Sequence, residues 1–163
     1  MPHAVPIELN GPQRQRMKLT DAIQALDIDA VNACLAAGQE PVFGTLTLAA
    51  AFGNAEIIRA LQMAGARADA STLCKAAECG HVEAIMVLIR GGIAPDTCIG
   101  RGRVTPLMYA AASGQVAAME TLVSMGARVQ QEDASGRTAL DAAKKFGQPE
   151  ALAWLSACMP PSE

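Results

Sequence analysis

Two cysteines and a histidine stand close together near the middle of the 163-residue chain. Cys74, Cys79 and His81 form a Cys-x4-Cys-x-His pattern, which raises the possibility of a zinc site or a thiol-based redox sensor. A structural zinc site has four ligands and a more tightly spaced cysteine pair. On one helix, five positions correspond to a net rotation of roughly 140°, so the two thiols would point to different sides. The pattern favours small apolar helix residues, and we predict neither a metal nor a cofactor.

Catalytic groups are scarce in this sequence. The histidines are His3 and His81. Because His3 lies in a proline-rich terminus, a Ser-His-Asp or Cys-His site would have His81 as its one candidate base. The sequence contains no Gly-x4-Gly-Lys-Ser/Thr phosphate-binding loop. The adjacent carboxylates of Glu132 and Asp133 fall in a predicted exposed loop, where a raised pKa is hard to achieve. We therefore predict that the chain is not an enzyme.

The composition predicts a core built from small side chains. Apolar residues make up 51% of the chain, yet only five residues are aromatic, whereas 33 are alanine. The net charge of −3 disfavours a nucleic-acid binder that works by neutralising phosphates. The longest clear apolar run, Ala84 to Ile89, is too short to cross a membrane. We expect binding to neither nucleic acid nor a membrane.

The cysteine count and the first residues predict a cytoplasmic location. Five cysteines at irregular spacing are typical of reduced thiols rather than of a disulfide framework. The segment from Met1 to Glu8 has no basic start and no apolar stretch, so it does not resemble a signal peptide.

A recurring pattern of glycines, alanines and leucines divides most of the chain into similar units. Glycines twelve positions apart occur three times, and each first glycine follows a leucine and a pair of alanines. Apolar residues at helical spacing lie between the two glycines. We predict a short helix, a turn at glycine, a second helix and a glycine stop in each unit. The predicted repeats are 17–43, 44–70, 71–104, 105–137 and 138–158, between an irregular extension at 1–16 and a tail at 159–163.

Several of these segments resemble one repeat family. Thr105-Pro106-Leu107-Met108-Tyr109-Ala110-Ala111-Ala112-Ser113-Gly114 is similar to the opening of an ankyrin repeat, and Gly80-His81-Val82-Glu83 is similar to its turn. Gly126-Ala127-Arg128-Val129 resembles its exit. The resemblance extends from about residue 17 to residue 158. It implies an all-α ankyrin-repeat solenoid of stacked helix-turn-helix pairs with projecting hairpin loops, and small free-standing bacterial ankyrin proteins are the nearest analogy.

The sequence departs from the family pattern in two ways. The opening histidine of the family, which ties neighbouring turns by hydrogen bonds, is replaced in every copy, by Thr20, Thr47, Cys74, Met108 and Asp141. We therefore expect packing to hold the stack. Counted on the alanine marker, the first two repeats are 27 residues long, against a usual period of about 33. We expect clipped loops there, and projecting fingers only at 93–104 and 127–137.

The resemblance implies that a partner meets the finger tips and the exposed side of the first helices. On that basis the predicted partner-binding residues are Arg101, Arg103, Tyr109, Phe52, Lys75 and Lys145. Arginine presents a rigid fork of donors that suits carboxylates, and both arginine and tyrosine are enriched in binding hot spots. The alternatives are ordinary solvated charges for the arginines, and half-buried packing for the two aromatic residues. Trp154 aligns with second-helix positions of other repeats, and we expect it to be a core or cap residue.

The function implied by the resemblance is that of a non-catalytic protein-binding module, monomeric when alone, whose partner is another protein. It would act by occupancy, through inhibition, protection or scaffolding. An immunity or antitoxin-type inhibitor of a toxin or effector enzyme is one alternative. A thiol-based metal or redox sensor and a self-associating structural protein are alternatives of another class.

Overall fold

The structure of the chain is a computed structural model that describes residues 18–42 and 44–158. Within these ranges the chain forms ten α-helices in five pairs and contains no β-strand. The helices are α1 (Leu19–Gln24), α2 (Ile28–Ala36), α3 (Thr45–Phe52), α4 (Ala55–Met63), α5 (Ala70–Cys79), α6 (Val82–Arg90), α7 (Pro106–Ala112), α8 (Val116–Ser124), α9 (Ala139–Phe146) and α10 (Pro149–Cys158). The predicted extension at 1–16 and the predicted tail at 159–163 lie outside the described residues.

The five pairs stack in sequence order. The first helices α1, α3, α5, α7 and α9 contact one another in series, and the second helices α2, α4, α6, α8 and α10 form a parallel row behind them. Each pair therefore relies on its neighbours to cover its apolar surface, as expected of short helices that are marginal alone. The predicted all-α solenoid of helix-turn-helix pairs is confirmed.

Alanine pairs lie where consecutive first helices meet. Six of these alanines, on α3, α5 and α7, are completely buried: Ala49, Ala50, Ala76, Ala77, Ala110 and Ala111. Their small side chains allow the helices to approach closely. Larger aliphatic side chains, among them Ile58, Ile85 and Leu122, fill the space between the two rows. Trp154 packs half-buried against this core, as predicted.

The turn between paired helices needs one residue in the left-handed backbone conformation. Gly53, Gly80, Gly114 and Gly147 hold this position in four pairs, with φ between +66° and +78°. In the first pair Leu26 occupies it with φ +55°. An L-residue with a Cβ atom pays roughly 1–2 kcal/mol for this conformation. The first pair keeps the common turn geometry at an energetic cost that the glycine-containing pairs avoid.

Side chains cap several helix N-termini. The Asp27 carboxylate accepts a hydrogen bond from the Ala30 amide at 2.9 Å and caps α2. The Asn54 side chain accepts from the amides of Glu56 and Ile57 at the start of α4. These acceptors satisfy amides that have no partner inside the helix.

Packing is supplemented by a hydrogen bond at the junction of the second and third pairs. Thr47, in the slot of the family histidine, lies 3.1 Å from Thr72, oxygen to oxygen. The Thr72 hydroxyl donates to the Asp69 carboxylate at 2.9 Å, so the Thr47 hydroxyl must be the donor to Thr72. Burial alone would raise the pKa of Asp69, but hydrogen bonds from Ser71 and Thr72 outweigh it and lower that pKa. Threonine thus replaces part of the role expected of histidine.

Two further ties between repeats come from the residue that follows a turn glycine. His81 Nε2 lies 3.0 Å from the carbonyl oxygen of Ala51, and it donates when the ring carries its proton on Nε2. The Gln148 side-chain amide donates to the carbonyl of Ala112 at 3.1 Å. Both acceptors lie in the preceding repeat, near the end of its first helix. His81 is therefore a structural residue of the stack.

The connections between pairs have unequal lengths, as predicted. The first is residues 37–44, of which 43 is not described, and the second is residues 64–69. The third finger is residues 91–105, where Ile99 and Val104 form an antiparallel bridge. The fourth finger is residues 125–138. Among the described residues, the bridge in the third finger is the only β-pairing.

The two long fingers are fastened to each other. Arg128 donates to the Asp96 carboxylate through its amide at 2.9 Å and through Nε at 2.7 Å. Nearer the tip, the Ala134 amide donates to the Gly102 carbonyl at 2.8 Å. These bonds hold the third finger tip beside the fourth finger.

We predict that Gly53→Ala destabilises the stack more than Gly65→Ala. Both glycines have positive φ, so both variants lose roughly 1–2 kcal/mol from backbone strain. A Cβ on Gly53 would also overlap the His81 ring, whereas a Cβ on Gly65 would meet nothing within 4 Å. Displacing His81 breaks its bond to Ala51, which is worth about 1 kcal/mol. Urea unfolding followed by circular dichroism measures the difference, and equal losses would contradict the role given to His81.

Candidate partner-binding face

A groove of about 400 Å³ lies along the first-helix face of the C-terminal half, bordered by the bases of the third and fourth fingers. We call it the groove. Its apolar lining comes from Val104, Met108, Tyr109, Ala112, Ala142 and Phe146. Its polar lining comes from Glu78, Ser113, Asp133, Arg137, Thr138, Asp141 and Lys145.

The helix register determines which side chains reach the groove. With the alanine pairs turned into the stack, the residue just before each pair and the residues just after it are left on the outer face of the first helix. Tyr109 and Ala142 hold the same slot in consecutive repeats and are both half-buried. Phe146 stands in the slot before the turn glycine and is 57% exposed. An aromatic and apolar surface is thus presented on rigid helices.

An ion pair forms the border of the groove on α5. Lys75 Nζ lies 2.8 Å from Glu78 Oε2, and both side chains are about two-fifths exposed. The hydrogen bond from Lys75 to Glu78, together with the charge of that carboxylate, raises the pKa of Lys75. An exposed pair of this kind contributes little to stability. Its effect here is to neutralise Glu78 at the edge of the groove.

A second carboxylate is buried in the fourth finger. Asp133 Oδ2 accepts from Arg137, with Nε at 2.9 Å and the terminal nitrogen at 2.8 Å. Asp133 Oδ1 accepts from the amides of Ser135 and Arg137, at 2.7 and 3.0 Å. The hydrogen bonds from the Arg137 amide and side chain lower the pKa of Asp133. The carboxylate organises the finger base and is occupied by it.

The third carboxylate at the groove caps α9. Asp141 Oδ2 accepts from the Thr138 amide at 2.9 Å and from its hydroxyl at 3.0 Å. These two bonds lower the pKa of Asp141.

Four residues further along the helix, Lys145 Nζ lies 5.3 Å from the centre of the Phe146 ring. This is a cation–π arrangement, which pairs the ammonium with an aromatic face instead of a carboxylate.

The structure brings some of the predicted binding residues together and leaves others apart. Tyr109 and Lys145 both line the groove, and Lys75 adjoins it through Glu78. Arg101 and Arg103 are exposed on the third finger tip, next to Val104 of the lining. Phe52 is 43% exposed on α3 and does not line the groove. The binding role of these six residues stays a prediction.

The structure adds groove residues that the sequence prediction did not select. Phe146 shares its slot with Phe52, so the repeat alignment contained the signal. Met108 replaces the family histidine, and its sulfur lies 3.5 Å from the Thr105 amide while its side chain lines the groove. Asp133 and Arg137 reach the groove only because the fourth finger folds back, which no spacing in the sequence reveals.

The Cys-x4-Cys-x-His pattern does not converge on a metal-binding arrangement. Cys74 is buried, and desolvation raises its pKa to about 12, so its thiol stays protonated. Cys79 is half-buried on the same helix, and His81 contacts Ala51. Over residues 18–42 and 44–158, no three His, Cys, Asp or Glu side chains are placed to hold a metal ion. Over the same ranges, no helix has the length and apolarity to cross a membrane.

We predict that Asp141→Asn lowers stability at neutral pH and weakens its acid dependence. A carboxyl whose folded pKa lies below its ordinary value of 3.8 stabilises the fold above that value, and the contribution is lost as the pH falls toward the folded pKa. The asparagine variant has no such contribution to lose. Urea unfolding at neutral pH and near pH 3 measures the change, with Glu120→Gln on the exposed side of α8 as the control. An unchanged acid dependence would contradict the capping role.

Comparison with known proteins agrees with this architecture. A family model described as ankyrin repeats (3 copies) matches residues 46–133 and 102–160. The chain is also 36% identical over 73 residues to Potassium channel KOR2 of Oryza sativa subsp. japonica. That match covers 45% of the chain and 10% of the channel, so only a small part of the relative is shared. Ankyrin repeats are generally protein–protein interaction modules and are typically non-catalytic. The chain belongs to the ankyrin repeat family.

Proposed function

We propose that the chain is a non-catalytic module that binds a partner protein through the concave face of its first helices and the fingers of its C-terminal half. It would act by occupancy, by inhibiting, protecting or scaffolding that partner. The observation that carries the proposal is the groove, which has a volume of about 400 Å³ and an apolar lining on rigid helices. A preformed surface loses little conformational freedom on binding, which favours affinity.

The presence of two aromatic side chains in one groove supports placing the site in the C-terminal half. Phe146 is more than half exposed beside Tyr109, although burying such side chains is favourable. Tyrosine combined with charged neighbours is typical of binding hot spots. The two long fingers border the same groove, and their mutual hydrogen bonds keep this border in place.

Two further features belong to the same proposal. A cytoplasmic location fits Cys74, Cys79, Cys98 and Cys158, which are free thiols. A monomer in the absence of the partner fits a chain whose groove is reserved for another protein. Light scattering at high protein concentration measures the oligomeric state, and a concentration-dependent dimer would favour self-association instead.

We predict that a Tyr109→Ala/Phe146→Ser variant loses the partner. Affinity capture from lysate of the native host, quantified by mass spectrometry, would compare it with the unaltered chain and with Arg101→Ala/Arg103→Ala. Loss of two hot-spot side chains is expected to reduce recovery at least about tenfold. Met63→Ser is the matched control, because Met63 is 90% exposed and does not line the groove.

Circular dichroism establishes that each variant is folded. A partner retained equally by all variants would leave the binding function intact and remove the groove as its site. The absence of any specifically captured protein would contradict the proposed function itself.

A further inference from the structure

We infer that the groove receives an acidic segment of the partner that carries at least one large apolar side chain as an anchor. This inference rests on the proposed function and specifies the chemistry of the bound segment. Two independent features of the groove support it, the shape and apolarity of its floor and the state of its charged groups.

The floor of the groove suits an apolar anchor. Met108, Tyr109, Ala112, Ala142 and Phe146 line it with apolar surface. A volume of about 400 Å³ falls at the small end of the range for ligand pockets, enough for one or two large side chains. Aromatic rings pack favourably against an inserted aromatic or aliphatic side chain.

The carboxylates that line the groove are already occupied. Glu78 accepts from Lys75 at 2.8 Å. Asp133 accepts from Arg137 and from two amides, and Asp141 accepts from the amide and hydroxyl of Thr138. A basic segment of the partner would therefore compete with contacts that hold α9 and the fourth finger. The Asp133 and Asp141 contacts stabilise the fold, and the Lys75 ion pair neutralises Glu78.

Unlike the carboxylates, three cations near the groove have no partner of opposite charge in the part of the chain that the structure describes. Among the described residues, Arg101, Arg103 and Lys145 have no carboxylate within 4.0 Å. Lys145 lies over the Phe146 ring, at the end of the groove on α9. Arg101 and Arg103 are exposed on the third finger, whose Val104 lines the groove, and the bond from Ala134 to Gly102 holds this tip in place. Within the described ranges, one cation without a carboxylate partner thus lines the groove, and two more lie on the finger that borders it.

This arrangement recognises carboxylates flanking an apolar residue. A guanidinium fork binds a carboxylate with two parallel hydrogen bonds, and an ammonium beside an aromatic ring adds a charge-assisted bond. The segment's own negative charge would accelerate association and make it sensitive to salt. An acidic segment gains these contacts without displacing any bond of the fold.

The experiment is a selection of short random peptides displayed on phage against the immobilised, folded chain. We expect selected peptides to be enriched in Asp and Glu around an apolar residue, with high salt during selection reducing their recovery. Lys145→Glu combined with Arg103→Glu is expected to weaken binding of a selected peptide about tenfold or more in fluorescence anisotropy. Lys144→Glu combined with Arg90→Glu is the matched control for charge, because both residues are exposed and absent from the groove lining.

Selected peptides that are basic or neutral, or no enrichment at all, would overturn the inference. So would acidic peptides that bind the Tyr109→Ala/Phe146→Ser variant as well as they bind the unaltered chain. Failure here remains distinguishable from failure of the proposed function. A partner captured from lysate through the groove, but presenting a non-acidic segment, would refute the inference and leave the binding function standing.

Discussion

Direct contact between the alanine pairs of consecutive first helices is the constraint on which the rest of the structure depends. Because Ala76, Ala77, Ala110 and Ala111 have no bulk beyond Cβ and are fully buried, neighbouring helices approach closely and keep a regular spacing. The same contact fixes the rotation of each helix, so that Tyr109 and Ala142 emerge on one face. The helix register thus sets the helical part of the groove, and the third and fourth fingers complete its border.

The sequence predicted the stack well because its information is local and repeated. Glycine at four of the five turns and alanine before it recur in phase, and each has a direct conformational reason. The ties between repeats were harder to foresee, since Thr47, His81 and Gln148 bond to groups many residues away. Packing alone was expected to replace the family histidine, whereas Thr47 in the histidine slot and the turn residues His81 and Gln148 also supply hydrogen bonds.

The candidate site was predictable only in part, for the same reason. Tyr109 and Lys145 were reachable from the repeat register, and Phe146 could have been selected by the same alignment. The pairing of Asp133 with Arg137 depends on how the fourth finger closes, and the position of the third finger tip depends on Gly102 and Ala134. Long connections carry little periodic information, so their side chains are placed by contacts that only the folded chain makes. Those contacts engage the carboxylates as hydrogen-bond acceptors. They leave the cations exposed to solvent.

Leu26 makes the first turn of the stack different from the other four. Its left-handed backbone places conformational energy in the first turn, while the other four turns have glycine at that position. This strain makes the first pair less stable than it would be with glycine in the turn. Since each pair contacts mainly its neighbours, the loss is felt least by the distant helices α7 and α9. The two ends of the stack therefore differ in stability, and the groove lies in the half farther from the strained turn.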